Sequence, residues 1–174
     1  MLITVTNILF VCIGNSCRSQ MAEGFARTYG ADVMRAWSAG LAPAPIVQPL
    51  TVQVMNEKNV DIASQFPKSI HELDLGGFDL IINMSGQPLP MPVRGSVRTW
   101  KVDDPMAQPE EVYVRVRDQI EGLVMQMVLD LRRTQRKMPA GQVKPEAVGV
   151  GQKPVVVDTN SQRYGFGRVR RARD

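Results

Sequence analysis

Short apolar runs alternate along this chain with stretches in which apolar positions recur every three or four residues. The first run, Asn7-Ile-Leu-Phe-Val-Cys12, is continuous and ends at a glycine-containing loop, the pattern of a parallel strand buried on both faces. Met21, Phe25 and Tyr29 then fall at i, i+4 and i+8, which predicts a helix over 18–29 with Gly30 at its stop. A second strand is predicted over 33–37, closed by Ser38-Ala-Gly40 and followed by a loop carrying Pro43, Pro45 and Pro49. Pro49 suits the first turn of a helix running to about Lys58. A short helix over 70–75, a buried strand over 78–82, a loop over 85–95 and a fourth strand over 97–102 complete the middle of the chain.

The last predicted element is the longest, over 109–136. Pro109-Glu-Glu111 gives it a proline and an acidic first turn, and Arg132, Arg133 and Arg136 a basic end, as the helix dipole prefers. Val112, Val116, Ile120, Leu123, Met127 and Leu131 mark one face. Strands alternating with helices predict an α/β fold with a parallel, doubly wound sheet. From about Met138 neither period persists, so the chain divides into a domain over 1–136 and a basic tail over 137–174 expected to be largely disordered.

Charge sharpens that division. The 174 residues carry a net charge of +4, yet residues 1–136 hold 13 basic against 14 acidic side chains and residues 137–174 hold 8 against 3. The tail ends in Tyr164-Gly-Phe-Gly-Arg-Val-Arg-Arg-Ala-Arg173, aromatics among arginines, which could contact nucleic acid or another acidic partner. There is no run of the ~20 apolar residues that a membrane helix needs. The first residues lack the basic and small-residue features of a secretion signal, so a cytoplasmic location and no membrane partner are expected. The 2 cysteines give no disulfide framework, and in a reducing compartment they are expected to be chemical. With 1 histidine, His71, read as a surface residue, neither a metal site nor a cofactor is expected.

The chemistry concentrates in Cys12-Ile-Gly-Asn-Ser-Cys-Arg18, which lies between the first predicted strand and the first predicted helix. That order makes an anion cradle: backbone N–H groups turn inward and the helix dipole favours negative charge. Residues Ile13, Gly14, Asn15, Ser16, Cys17, Arg18 and Ser19 are expected to wrap the anion. Cys12 at the mouth would be a thiolate aimed at it. Arg18 offers a planar fork of donors for two oxygens of a phosphate-like group, gripping best as they flatten in the transition state. Gly14 allows close approach and a positive φ; Asn15 tolerates the left-handed region and can tie the loop to itself. Ser19 can donate to the sulfur. Cys17 reads equally as a packing residue and as a partner for a reversible disulfide with Cys12. Trp37 and Trp100, within strand patterns, read as core.

Thiolate attack on an ester also needs an acid for the departing oxygen. Asp104 in Asp103-Asp104-Pro105 is the candidate, with Asp103 the fallback. It leaves the C-terminal end of a predicted strand, where open α/β sheets place their sites, and Pro105 holds it out of the helical region. The same residue could later activate water.

These residues resemble the low-molecular-weight protein tyrosine phosphatase family, which includes the related thioredoxin-type arsenate reductases. The resemblance spans roughly 5–136 and rests on Val11-Cys-Ile-Gly-Asn-Ser-Cys-Arg-Ser19, Met21-Ala-Glu23, Trp37-Ser-Ala-Gly40, Phe78-Asp-Leu-Ile-Ile82 and Asp103-Asp-Pro105. It implies a three-layer fold around a four-stranded parallel sheet, Cys12 as nucleophile, Arg18 as clamp, Asn15 and Ser19 as loop support and Asp104 as acid. Met106-Ala107 follow the Asp-Pro, and Leu41–Pro49 lacks an aromatic, where the phosphatases wall a phosphotyrosine cleft with aromatics. These features lean toward the reductases. The thioredoxin-coupled reductases carry further cysteines after the third strand; this chain has Ser85 there and no cysteine beyond Cys17, so a relay of that kind is excluded and reduction would need a small external thiol or the Cys12–Cys17 pair. The leading expectation is a phosphomonoesterase acting through a cysteinyl-phosphate on a phosphorylated protein or small phosphate. The alternatives are arsenate reduction with a small external thiol, and an idle anion-binding module with a nucleic-acid-binding tail.

Overall fold

The protein's architecture is taken from a computed structural model that describes residues 5–137. The tail expected over 137–174 lies outside the described residues, apart from Lys137. The elements in chain order are β1 (Thr6–Cys12), α1 (Arg18–Tyr29), β2 (Met34–Gly40), α2 (Pro49–Asn56), β3 (Leu80–Asn83), β4 (Ser96–Thr99) and α3 (Glu110–Lys137). Two 3-10 turns, Ile70–Glu72 and Leu75–Gly77, stand where one short helix was expected over 70–75.

The four strands form one parallel sheet in the order β2-β1-β3-β4. The chain steps outward from β1 to β2, then crosses back over β1 to β3. The winding therefore reverses between β1 and β3, and a crevice opens there at the strands' C-terminal ends. β1 is buried on both faces, as its unbroken apolar run requires: Ile8, Phe10 and Cys12 face α1, α2 and α3, while Leu9 and Val11 pack with Ala39, Ile70, Leu75, Phe78 and Ile81 on the other face. Trp37 and Trp100 are partly buried; Trp37 sits edge-on to Phe78 at 5.4 Å and Trp100 lies 5.8 Å from Phe10.

Three boundaries differ from the sequence expectation. Ser38-Ala-Gly40 does not close β2 but continues it, pairing with Phe10, Val11 and Cys12. Phe78 ends a 3-10 turn instead of opening β3. β4 stops at Thr99, and all four of its side chains are exposed, because it is an edge strand with little above or below it. On α3 the buried stripe is Tyr113, Val116, Arg117, Ile120, Val124, Met127 and Val128, with Val112, Leu123 and Leu131 on its flank. The expected face is therefore displaced by about one residue, since an arginine and a tyrosine sit where apolar periodicity alone would not place them.

Candidate active site

β1 delivers Cys12 to the crevice and α1 begins at Arg18, so the intervening five residues must turn within a tight loop. What shapes that loop is the fate of its carbonyl groups. Cys12 O, Ile13 O, Gly14 O and Ser16 O accept from the backbone N–H groups of Leu41 (3.1 Å), Ala42 (2.9 Å), Ala44 (2.8 Å) and Gln48 (3.0 Å). Asn15 O accepts from Gln20 Nε2 at 2.8 Å. In a trans peptide the C=O and the following N–H point in opposite directions, so carbonyls drawn outward turn the N–H groups of 13–17 inward. The proline-rich segment after β2 is thus the outer belt of this loop, a role its composition did not reveal.

The left-handed residue of the loop is Asn15, with φ of 47°; Gly14 does not carry the positive φ expected of it. Gly14 instead gives room, because a Cβ there would stand 3.2 Å from Ser16 Oγ. Gly40, which the sequence reading gave no part in the site, is the tighter constraint: a Cβ on it would lie 2.7 Å from Ile13 O and 3.0 Å from Asn15 N.

Cys12 is 3% exposed, and its sulfur accepts from the Asn15 N–H at 3.2 Å and contacts Ser19 Oγ at 3.0 Å. Ser19 Oγ already accepts from Asn15 Nδ2 at 2.8 Å, so its own proton is free for the sulfur. The second Asn15 Nδ2 proton goes to Ser38 Oγ at 2.8 Å, and Asn15 Oδ1 accepts from the Lys68 N–H at 2.8 Å. Every polar atom of Asn15 is therefore engaged, which fixes both the loop and the direction of the amide.

Arg18 is buried, and its Nη1 donates to Met84 O at 2.8 Å and Val102 O at 3.2 Å. Its Nη2 forms an ion pair with Asp104, while Nε is buried without a partner. An orphaned guanidinium N–H at the wall of a cavity is what an oxyanion would complete. The cavity holds about 230 Å³ and is lined by Cys12, the loop, Arg18, Ala42, Ala44, Asp104 and Met106. Asp104 is the aspartate at this mouth, with its side chain 45% exposed and its Oδ1 accepting from the Met106 N–H at 3.1 Å; Asp103 does not line the cavity. Cys17 also lines it but is 3% exposed, and burial pushes its thiol up while hydrogen bonds with Thr51, Ser16 and Tyr113 pull it partly back. Both cysteines are free thiols. Among the described residues no three His, Cys, Asp or Glu side chains cluster as a metal centre would need, and no helix is long and apolar enough to cross a membrane.

The site is thus one strand-to-helix loop at the C-terminal edge of a parallel α/β sheet, with a thiol at one end and a guanidinium at the other. A sequence profile described as low molecular weight phosphotyrosine protein phosphatase matches residues 7–91. A glutaredoxin arsenate reductase of Synechocystis is 34% identical over 125 residues, 70% of this chain and 95% of its own. An arsenate reductase of Shouchella clausii is 40% identical over 124 residues, 65% of this chain and 88% of its own. Among solved structures, an arsenate reductase in the phosphate-binding state superposes with a TM-score of 0.66 at 32% identity, covering 73% of this chain and 99% of its own. A low molecular weight protein tyrosine phosphatase from T. tengcongensis gives 0.63 at 28%, covering 72% and 99%. The chain belongs to the low molecular weight phosphotyrosine protein phosphatase family.

Proposed function

We propose that this protein is a thiol enzyme that reduces arsenate with an external small thiol, the second of the activities expected from sequence. The observation that carries this reading is the cavity itself: it is small, about 230 Å³, a guanidinium Nε stands unpaired beside it, and its outer walls are Ala42, Ala44 and Met106 with no aromatic. The names of the relatives favour the same order of readings. Cys12 Sγ attacks arsenic, an oxygen leaves as water with a proton supplied at Asp104, and arsenic remains pentavalent. The external thiol then attacks Cys12 Sγ. A disulfide forms, the sulfur–arsenic electron pair stays on arsenic, and arsenite departs two electrons reduced; a second external thiol restores Cys12. Cys17 is a poor candidate for the attacking thiol at neutral pH, because burial holds its proton on.

A second reading is favoured by Asp104 at the mouth. A carboxyl positioned there is what an ester's departing oxygen needs, so a phosphomonoester is the rival substrate. Side-by-side turnover of arsenate with glutathione and of an aryl phosphate decides between them. Arsenite release that exceeds that of Cys12→Ser supports reduction. Release no faster than that variant with any small thiol, alongside rapid ester hydrolysis, transfers the assignment to phosphoester cleavage.

A further inference from the structure

β4 is an outer strand of the sheet, and among the described residues only β3 pairs with it. On that side the Ser96 and Trp100 N–H groups bond to Asp79 O at 3.1 Å and Asn83 O at 3.0 Å. Backbone groups alternate sides along a strand, so the N–H and C=O groups of Val97 and Thr99 point outward, away from β3. The side chains of the same two residues line an apolar groove of about 640 Å³, together with Leu89, Met91, Val93 and Lys101. This groove shares no lining residue with the Cys12 cavity. Leu89, Met91 and Val93 are half-buried in it, whereas Val97 is 44% exposed. Pro88 and Pro92 also line it, and their fixed φ keeps that wall in shape without a ligand.

The charge beside this edge is of one sign. Between Asp79 and Asp103 the chain has three basic residues, Arg94, Arg98 and Lys101, and no acidic one. All three are exposed, and none enters an ion pair with a described residue. That sign disfavours two occupants. A second copy of β4 would set these cations against their own kind, and residues 137–174 carry 8 basic against 3 acidic side chains.

We infer that the free edge of β4 and its groove are a docking site for an extended, acidic segment of another protein, which adds to the sheet beyond β4. The segment's backbone bonds to the outward N–H and C=O groups of Val97 and Thr99. Its alternate side chains fall on the groove face and are apolar; the intervening ones lie on the face of Arg98 and are carboxylates. Arg94 before the strand and Lys101 after it meet acids at the segment's two ends. Cations alone on an edge serve only to keep other sheets off. A preformed apolar floor beside that edge has no part in such protection, and it is what makes this edge a binding surface. The inference does not depend on the reaction at Cys12.

The test uses the full chain and a capped, fluorescein-labelled peptide, Asp-Val-Glu-Val-Glu-Val-Asp, beside a peptide of the same composition with its valines adjacent. The alternating peptide should bind saturably and about tenfold more tightly than the rearranged one, and should slow hydrogen exchange at the Val97 and Thr99 amides about tenfold. Val97→Pro removes one outward N–H and no bond to β3, so it should melt near the parent temperature while binding falls about tenfold. Arg94→Glu combined with Arg98→Glu keeps every backbone group; it should weaken the alternating peptide about tenfold and remove the gain in affinity seen on lowering salt. Equal binding of the two peptides, unchanged exchange at Val97 and Thr99, or no saturable binding by about 1 mM overturns the inference. So do two patterns in the peptide-free protein. Exchange at these amides that quickens when the chain ends at Lys137 makes the tail the occupant, and exchange that slows with protein concentration makes it a second copy.

Discussion

Asn15 shows how much one side chain can hold. It occupies a backbone region that costs most residues about 1–2 kcal/mol, and its amide ties the loop to Ser19, Ser38 and Lys68. Asn15→Ala should lower unfolding stability by about 2–4 kcal/mol in urea titration, because strain is added as buried bonds are lost. Asn15→Gly should recover about 1 kcal/mol of that, by relieving φ, and recover no turnover. Asp104 gives the opposite expectation. Its carboxylate is paired with Arg18 Nη2, so an oxyanion binding at that nitrogen must compete with it. Asp104→Ala should therefore bind inorganic phosphate more tightly while slowing the ester reaction about a hundredfold, read as a lower inhibition constant beside a lower kcat. At this scale the sequence was informative about residue types and less so about their shares. Cys12, Arg18 and Asp104, singled out by type and spacing, line one cavity. The positive φ fell to Asn15 and not to Gly14, and Gly40 proved to be the glycine that a close approach demands, because a contact between loops far apart in sequence leaves no local signal.

At the scale of elements, α3 is the brace that holds the cradle's supports together. Arg117, buried on its stripe, donates Nη1 to Val54 O at 2.9 Å and to Glu57 at 2.6 Å, and Nε to Asp118 at 2.9 Å, clasping α2 to α3. Burial opposes its charge, but Asp118 and Glu57 outweigh this and hold the guanidinium up. Arg117→Met should destabilise the fold by about 1–2 kcal/mol, less than a fully buried pair would lose, because Glu57 and Asp118 remain half in water. The existence and order of the strands and helices were legible from periodicity, since a run such as Ile8–Val11 has no other stable use. The exact face of α3 was not, because apolar counting passes over an arginine that is buried while its head is satisfied by a backbone carbonyl and two carboxylates. Likewise Ser38-Ala-Gly40 looks like a turn by composition. It remains strand because small side chains are what the neighbouring loop requires.

Over the whole molecule, pH and chain length are the levers that test these assignments. Arg132 bonds hold the Asp32 carboxyl below its ordinary value, and at Asp118 the pull of Arg117 and Lys58 outweighs the upward push of burial. Carboxyls lowered in the folded state give stability that is complete above the ordinary carboxylate range and is lost as pH falls through the folded values. The melting temperature should therefore fall between about pH 5 and pH 2, and the fall should be shallower in Arg132→Met. The relatives align along 95% or 88% of their own length with 70% or 65% of this chain, so a protein ending at Lys137 should keep its fold and its turnover, measured by calorimetry and arsenite release. α3 runs to Lys137, and the tail expected to follow it, with its acidic partner, lies beyond the described residues. Two contacts of one side chain bear on assembly as well as chemistry. Arg18 donates to Met84 O and Val102 O, 66 and 84 residues further along the chain. A fragment ending after β2 would contain every letter of the Cys12–Arg18 motif and yet have no site, since its clamp would hang unmoored. The oxyanion affinity proposed for this site would in this sense be a late event in the life of a newly made chain: it would arrive only when the far half of the sheet has docked, and so would report completed folding.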